Sequence, residues 1–81
     1  MPNRENPLVE EKLLKILEEA ILDEQASAAR YGHGAELARD PELVAMFEQL
    51  MRDEQRHEEA LKERYRAIKK RLGLKIMRDG E

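Results

Sequence analysis

The chain has 81 residues, 15 Lys plus Arg against 18 Asp plus Glu, a formal charge of -3 and no cysteine. That length holds one small domain. The absent thiols exclude a disulfide framework, an iron–sulfur cluster, a thiolate zinc site and a cysteine nucleophile, and the near balance of charge argues against nucleic acid as the main partner.

Met1 to Asn6 is polar and reads as a flexible N-terminal tail, residues 1–6, with no apolar core of a secretory signal. No apolar run approaches membrane-spanning length. The expected location is therefore the cytoplasm, with no membrane partner. Aromatic residues are 4% of the chain, namely Tyr31, Phe47 and Tyr65, which is thin for a β core. Ala, Glu, Lys, Leu and Arg dominate and favour helix.

Asn6-Pro7 reads as a helix cap followed by proline at the first helical position, and Asp40-Pro41 repeats that signal. Lys69, Lys70 and Arg71 followed by Gly73 read as a helix end, with basic residues in the last turn and glycine beyond it. The punctuation predicts two long helices, Pro7 to Ala38 and Pro41 to Leu72, each roughly 48 Å long at ~1.5 Å per residue. A short turn at Arg39-Asp40 joins them into an antiparallel hairpin over residues 7–72. Gly32 and Gly34 each cost a helix interior ~1 kcal/mol relative to alanine. The alternative is a helix ending at Tyr31. The apolar spacing continues through Ala35 and Ala38, so the continuous helix is preferred. Residues 73–81 read as a C-terminal tail.

Alternating steps of three and four define a core stripe on each helix. On the first it runs Leu14, Leu17, Ile21, Glu24, Ala28, Tyr31, Ala35, Ala38. On the second it runs Leu43, Phe47, Leu50, Glu54, His57, Leu61, Tyr65, Ile68, Leu72. Both stripes are interrupted near the middle by ionisable residues. A carboxylate there costs several kcal/mol unless it is compensated, and no Lys or Arg shares either stripe. A divalent cation is the natural counterion. Glutamate oxygens with a neutral imidazole suit iron, manganese or zinc.

Glu24 lies 16 residues before Asp40 and Glu54 lies 14 after it. In an antiparallel hairpin they fall at nearly one height. Glu24, Glu54 and His57 are then half of the constellation used by di-iron carboxylate bundles, which take a Glu from each of two helices and a Glu-x-x-His from each of the others. A symmetric homodimer, closing into a four-helix bundle, would supply the other half and cover the apolar face that two helices leave open.

The stretch Asp23-Glu24, Ala29-Arg30-Tyr31, Asp40-Pro41-Glu42-Leu43, Arg52-Asp53-Glu54 and His57 resembles the ferritin-like proteins. It is most similar to the two-helix encapsulated ferritins and also looks like half of a rubrerythrin bundle. The resemblance covers roughly residues 8 to 72. It implies a ferroxidase that oxidises Fe(II) at a di-iron centre between two chains, for iron storage or detoxification. In that reading Glu54 of each chain bridges the irons, Glu24 and His57 are terminal ligands, and Tyr31 is a hydrogen-bond partner near the centre. It further implies a ring of dimers carried as cargo within an encapsulin shell. Two departures stand out. Ala26 has no carboxylate where the family places acidic residues for ion uptake, leaving Asp23 for that role. The sequence Gly73-Leu74-Lys75-Ile76-Met77 is only faintly similar to a shell-targeting peptide. The absence of cysteine also removes the rubredoxin-type iron site of full-length rubrerythrins. A rubrerythrin-like peroxidase half-domain and a metal-stapled structural hairpin are the competing readings.

The remaining polar features read as ordinary surface. His33 is a surface histidine, and Asp23 and Asp53 are surface carboxylates. Met46 and Met51 are packing residues. The runs Glu10-Glu11, Glu18-Glu19, Glu58-Glu59 and Lys69-Lys70-Arg71 read as solvated faces that also favour the helix dipoles.

Overall fold

The computed structural model describes residues 7–73. It is an all-α hairpin of two helices, α1 Pro7–Leu37 and α2 Pro41–Arg71, each of 31 residues. Each ends one residue before its expected limit, a difference at the level of terminal fraying. The expected tails at residues 1–6 and 74–81, including Leu74-Lys75-Ile76-Met77, lie outside the described residues. Among the described residues, neither helix is long and apolar enough to cross a membrane.

The turn is built as its residues dictate. Ala38 N–H donates to Gly34 O at 2.9 Å and closes α1. Asp40 is extended, its Oδ1 accepts from Glu42 N–H at 3.1 Å, and its carbonyl accepts from Val44 N–H at 2.9 Å. Pro41 occupies a position whose N–H would have no helical partner, so its missing donor costs nothing. At the far end Gly73 takes a φ of 73° and its N–H donates to Lys70 O at 3.1 Å. This left-handed turn is the one glycine adopts most readily.

Cross-helix pairs fix the antiparallel register. Positions descend along α1 as they climb α2: Gly34 meets Phe47, Gly32 meets Met51, Gln25 meets Glu58, Glu18 meets Tyr65 and Glu10 meets Arg71. The two glycines lie within α1, as the continuous-helix reading expected, and their use is packing. A Cβ on Gly34 would come to 3.0 Å from the Phe47 ring, and one on Gly32 to 3.2 Å from Met51 Sδ. Their missing side chains let α2 approach. Tyr31 stacks on the same Phe47 ring, with centroids 6.3 Å apart.

All four of the supposed solvated runs contribute a residue to contacts across the hairpin. Glu10 is buried, with 4% of its surface exposed, and accepts from Arg71 Nη2 at 2.7 Å. Glu18 accepts from the Tyr65 hydroxyl at 2.8 Å, and Lys69 lies 5.3 Å from the centre of the Tyr65 ring. Glu58 accepts from Gln25 and pairs with Lys62. Long side chains can cross a thin two-helix layer to meet an opposite partner, and charge runs read on one helix alone do not show that partner.

The two helices bury little between them. Among the described residues only Leu14, Ala28 and Tyr65 are buried hydrophobics. Val9, Leu13 and Ile16 on α1 and Leu43 and Met46 on α2 are exposed, Ile16 at 61% and Met46 at 58%. Leu43, expected on the core stripe, thus lies on the uncovered flank, and Met46 is not packed within the chain. The physical reason is that α2 carries two adjoining apolar flanks, and α1 covers one of them.

Candidate metal centre

Midway along the hairpin, Glu24 of α1 meets Glu54 and His57 of α2. One ligand atom from each lies within 4.8 Å of the others. The antiparallel register sets the height, and the spacing of three along α2 puts Glu54 and His57 on one side of that helix. His57 Nδ1 lies 2.9 Å from Glu54 Oε1 and 3.5 Å from Glu24 Oε2. The two carboxylates are largely covered, with side chains 23% and 19% exposed, whereas the His57 side chain is 62% exposed. His57 therefore lies at the margin of the interhelical face, and Glu58 takes the more enclosed position beside it.

The electrostatics are those of a site short of positive charge. The adjacent Glu54 carboxyl, then burial, hold the Glu24 carboxyl above its ordinary range, and His57 opposes that effect. Glu24 Oε2 is buried and accepts no hydrogen bond. A buried carboxylate oxygen without a donor is expensive. A divalent cation held by Glu24, Glu54 and His57 would complete that oxygen and separate the two carboxylates. The donor set of two carboxylates and one imidazole matches iron, manganese and zinc chemistry. The residues thus fit such a metal.

Of the four residues expected at the centre, three come together. Tyr31 stands two turns along α1 from Glu24, with its ring against Phe47. Asp23 is exposed. Asp53 accepts from Gln49 Nε2 at 2.9 Å and pairs with Arg56. These contacts, Gln49 foremost, hold its carboxyl below the usual range.

Sequence reasoning missed a polar group beside the centre. Gln25 Nε2 donates to Glu58 Oε2 at 2.9 Å, and Lys62 Nζ lies 2.7 Å from the same oxygen. Lys62 and then Gln25 hold the Glu58 carboxyl below its usual range. The signal was present in the pairing of heights. Gly32 with Met51, Gln25 with Glu58 and Glu18 with Tyr65 share one antiparallel register, so position numbers that sum alike mark Gln25 and Glu58 as facing residues.

Apolar residues, most of them exposed, lead into this centre on both helices. Val9, Leu13, Ile16 and Ala20 step by four, three and four, and the next step of four is Glu24. Leu43, Met46 and Leu50 step by three and four, and the next step of four is Glu54. The metal group therefore borders the uncovered face of the hairpin.

Comparison with known proteins agrees with this geometry. Residues 15–80 match the family model described as Rubrerythrin. No curated protein and no solved structure gives a match.

Proposed function

The chain belongs to the rubrerythrin family of ferritin-like proteins, and on that footing we propose that it is a ferroxidase whose di-iron site forms between two copies of the hairpin. The observation that carries this reading is the Glu24, Glu54 and His57 group, with a buried Glu24 oxygen that accepts no hydrogen bond, set at the edge of an uncovered apolar face. Three ligands from one chain are half of the set that di-iron carboxylate bundles use. A second copy across a two-fold axis supplies the other half, and the exposed Leu13, Ile16, Leu43 and Met46 supply the contact.

Fe(II) is the substrate in this reading: two Fe(II) give one electron each to O2, which takes up two protons and leaves as hydrogen peroxide. Glu54 from each chain would bridge the pair, and Glu24 and His57 would each hold one side. Carboxylates from two chains, two Glu24 and two Glu54, carry four negative charges and balance two divalent ions. The adjacent Glu54 carboxyl favours the protonated form of Glu24, and a bound cation would favour its ionised form. The exposed His57 edge is the side from which iron and oxygen reach the carboxylates. Iron oxidised there would serve storage or detoxification, and an encapsulin shell is the compartment that would hold the product.

A second reading uses the same ligands to consume peroxide, and the family match favours it equally. Stopped-flow oxidation of Fe(II)-loaded protein by O2 and by H2O2, in the wild type and in Glu54→Ala, tests both. The ferroxidase reading expects fast ferric absorbance with O2 that Glu54→Ala abolishes. Fast reaction with H2O2 alone would favour the peroxidase, and oxidation unchanged by Glu54→Ala would refute the centre itself.

A further inference from the structure

We infer that Gln25 is a positioning residue for the metal centre, acting through its hydrogen bond to Glu58. The inference rests on the centre proposed above and adds residues outside its ligand set. Gln25 adjoins Glu24 on α1 and Glu58 adjoins His57 on α2, so this 2.9 Å bond ties the two helices one residue from a ligand on each side. The metal group draws on both helices, and its ligand atoms stay within 4.8 Å only while the helices keep their relative height and rotation. Among the described residues, the side-chain hydrogen bonds Tyr65 to Glu18 and Arg71 to Glu10 also cross the hairpin and lie progressively farther from the centre toward its open end. Near the turn, the register is held by apolar contact of Phe47 and Met51 with the two glycines.

Glu58 is kept for this task. Both Gln25 and Lys62 approach the same oxygen, Oε2, so the carboxylate that follows His57 on α2 already has a cation and a donor. Its charge is matched by Lys62, and its orientation is set by Gln25. A carboxylate so engaged holds its neighbours in place and does not compete with Glu54 for the metal. Gln25 lies at the surface, so replacing it leaves the buried contacts of the hairpin in place and its loss falls on ligand geometry.

The test uses Co(II) alone, titrated into full-length protein and read by its visible absorption, with far-UV circular dichroism on the metal-free samples as the folding control. The variants are Gln25→Leu, Glu58→Leu, their double mutant and Glu58→Gln. Groups that hydrogen-bond metal ligands directly change affinity by about 10–100-fold when removed, and Gln25 and Glu58, which act one residue from the ligands, fall at the lower end. Gln25→Leu and Glu58→Leu should each weaken Co(II) binding by about tenfold and alter the absorption envelope, and the double mutant should lose little more. Glu58→Gln keeps an acceptor for Gln25 and loses the charge, so it should stay within about threefold of wild type. Wild-type affinity and spectrum in Gln25→Leu would overturn the inference. So would losses that multiply in the double mutant, or a Glu58→Gln variant as weak as Glu58→Leu, since the charge of Glu58 would then be what acts. Wild-type protein that binds no Co(II) would overturn the centre itself, an outcome distinct from both.

Discussion

Gly34 and Phe47 meet so closely that a single methyl group at Gly34 would fall 3.0 Å from the ring. Tyr31, three residues before Gly34 on α1, stacks on the same ring with centroids 6.3 Å apart. Gly34→Ala gains ~1 kcal/mol of helix propensity and loses about 1–3 kcal/mol to overpacking. We predict a net loss of stability for Gly34→Ala and a neutral or stabilising Gly32→Ala, whose neighbour is the end of a flexible methionine. Thermal unfolding by circular dichroism at one fixed chain concentration decides it. A Gly34→Ala variant more stable than wild type would mean the close approach is not needed.

The Tyr65 hydroxyl donates to Glu18, and burial, with Glu18 beside it, pushes its pKa up to about 12. A folded-state value above the ordinary 10 means the neutral phenol is favoured by folding. That stabilisation is complete below pH 10 and is lost as pH rises through about 12. An ultraviolet titration should show a tyrosinate step near 12 that Tyr65→Phe removes. Tyr65→Phe should also cost about 1 kcal/mol of stability. A titration curve that Tyr65→Phe leaves unchanged in that range would contradict the contact.

Glu24 is raised above 4.5 by the adjacent Glu54 carboxyl and by burial. The folded chain therefore keeps a proton that the unfolded chain releases. Its contribution to stability is complete below 4.5 and is lost as pH climbs through the raised value. Asp53 and Glu58 are lowered and act in the opposite sense, losing stabilisation as pH falls. Comparing metal-free wild type with Glu24→Gln isolates the first effect. Wild-type stability should fall relative to the variant as pH rises just above 4.5, and metal affinity should rise over the same window with release of a proton. Parallel stability curves for the two proteins would refute the coupling.

The uncovered flank makes a prediction about assembly. Ile16 and Leu13 lie on it, away from the three ligands. Ile16→Glu places a charge where the second copy is proposed to pack. We expect sedimentation to show wild-type dimers or larger even-numbered species, and Ile16→Glu monomers of reduced helicity. A wild-type monomer at high concentration would leave the apolar flank without its partner.

The hairpin and the ligand trio were readable because both rest on spacing within a helix plus one turn. Pro7, Pro41 and Gly73 marked the limits, and Glu24, Glu54 and His57 stood out as ionisable residues on apolar stripes. What escaped depends on contacts across the helices. Glu10, Glu18 and Glu58 look like solvated charges on their own helices, and only the register shows Arg71, Tyr65 and Gln25 opposite them. Leu43 was assigned to the core for a related reason. Periodicity shows that a flank is apolar and does not say whether the same chain or another one covers it.

The most direct test of the account is native mass spectrometry of protein loaded anaerobically with Fe(II). The account predicts a dimer, or a multiple of it, carrying one iron per chain, so that each pair of hairpins holds two. Iron bound to monomers, or dimers that bind none, would contradict a centre shared between two chains.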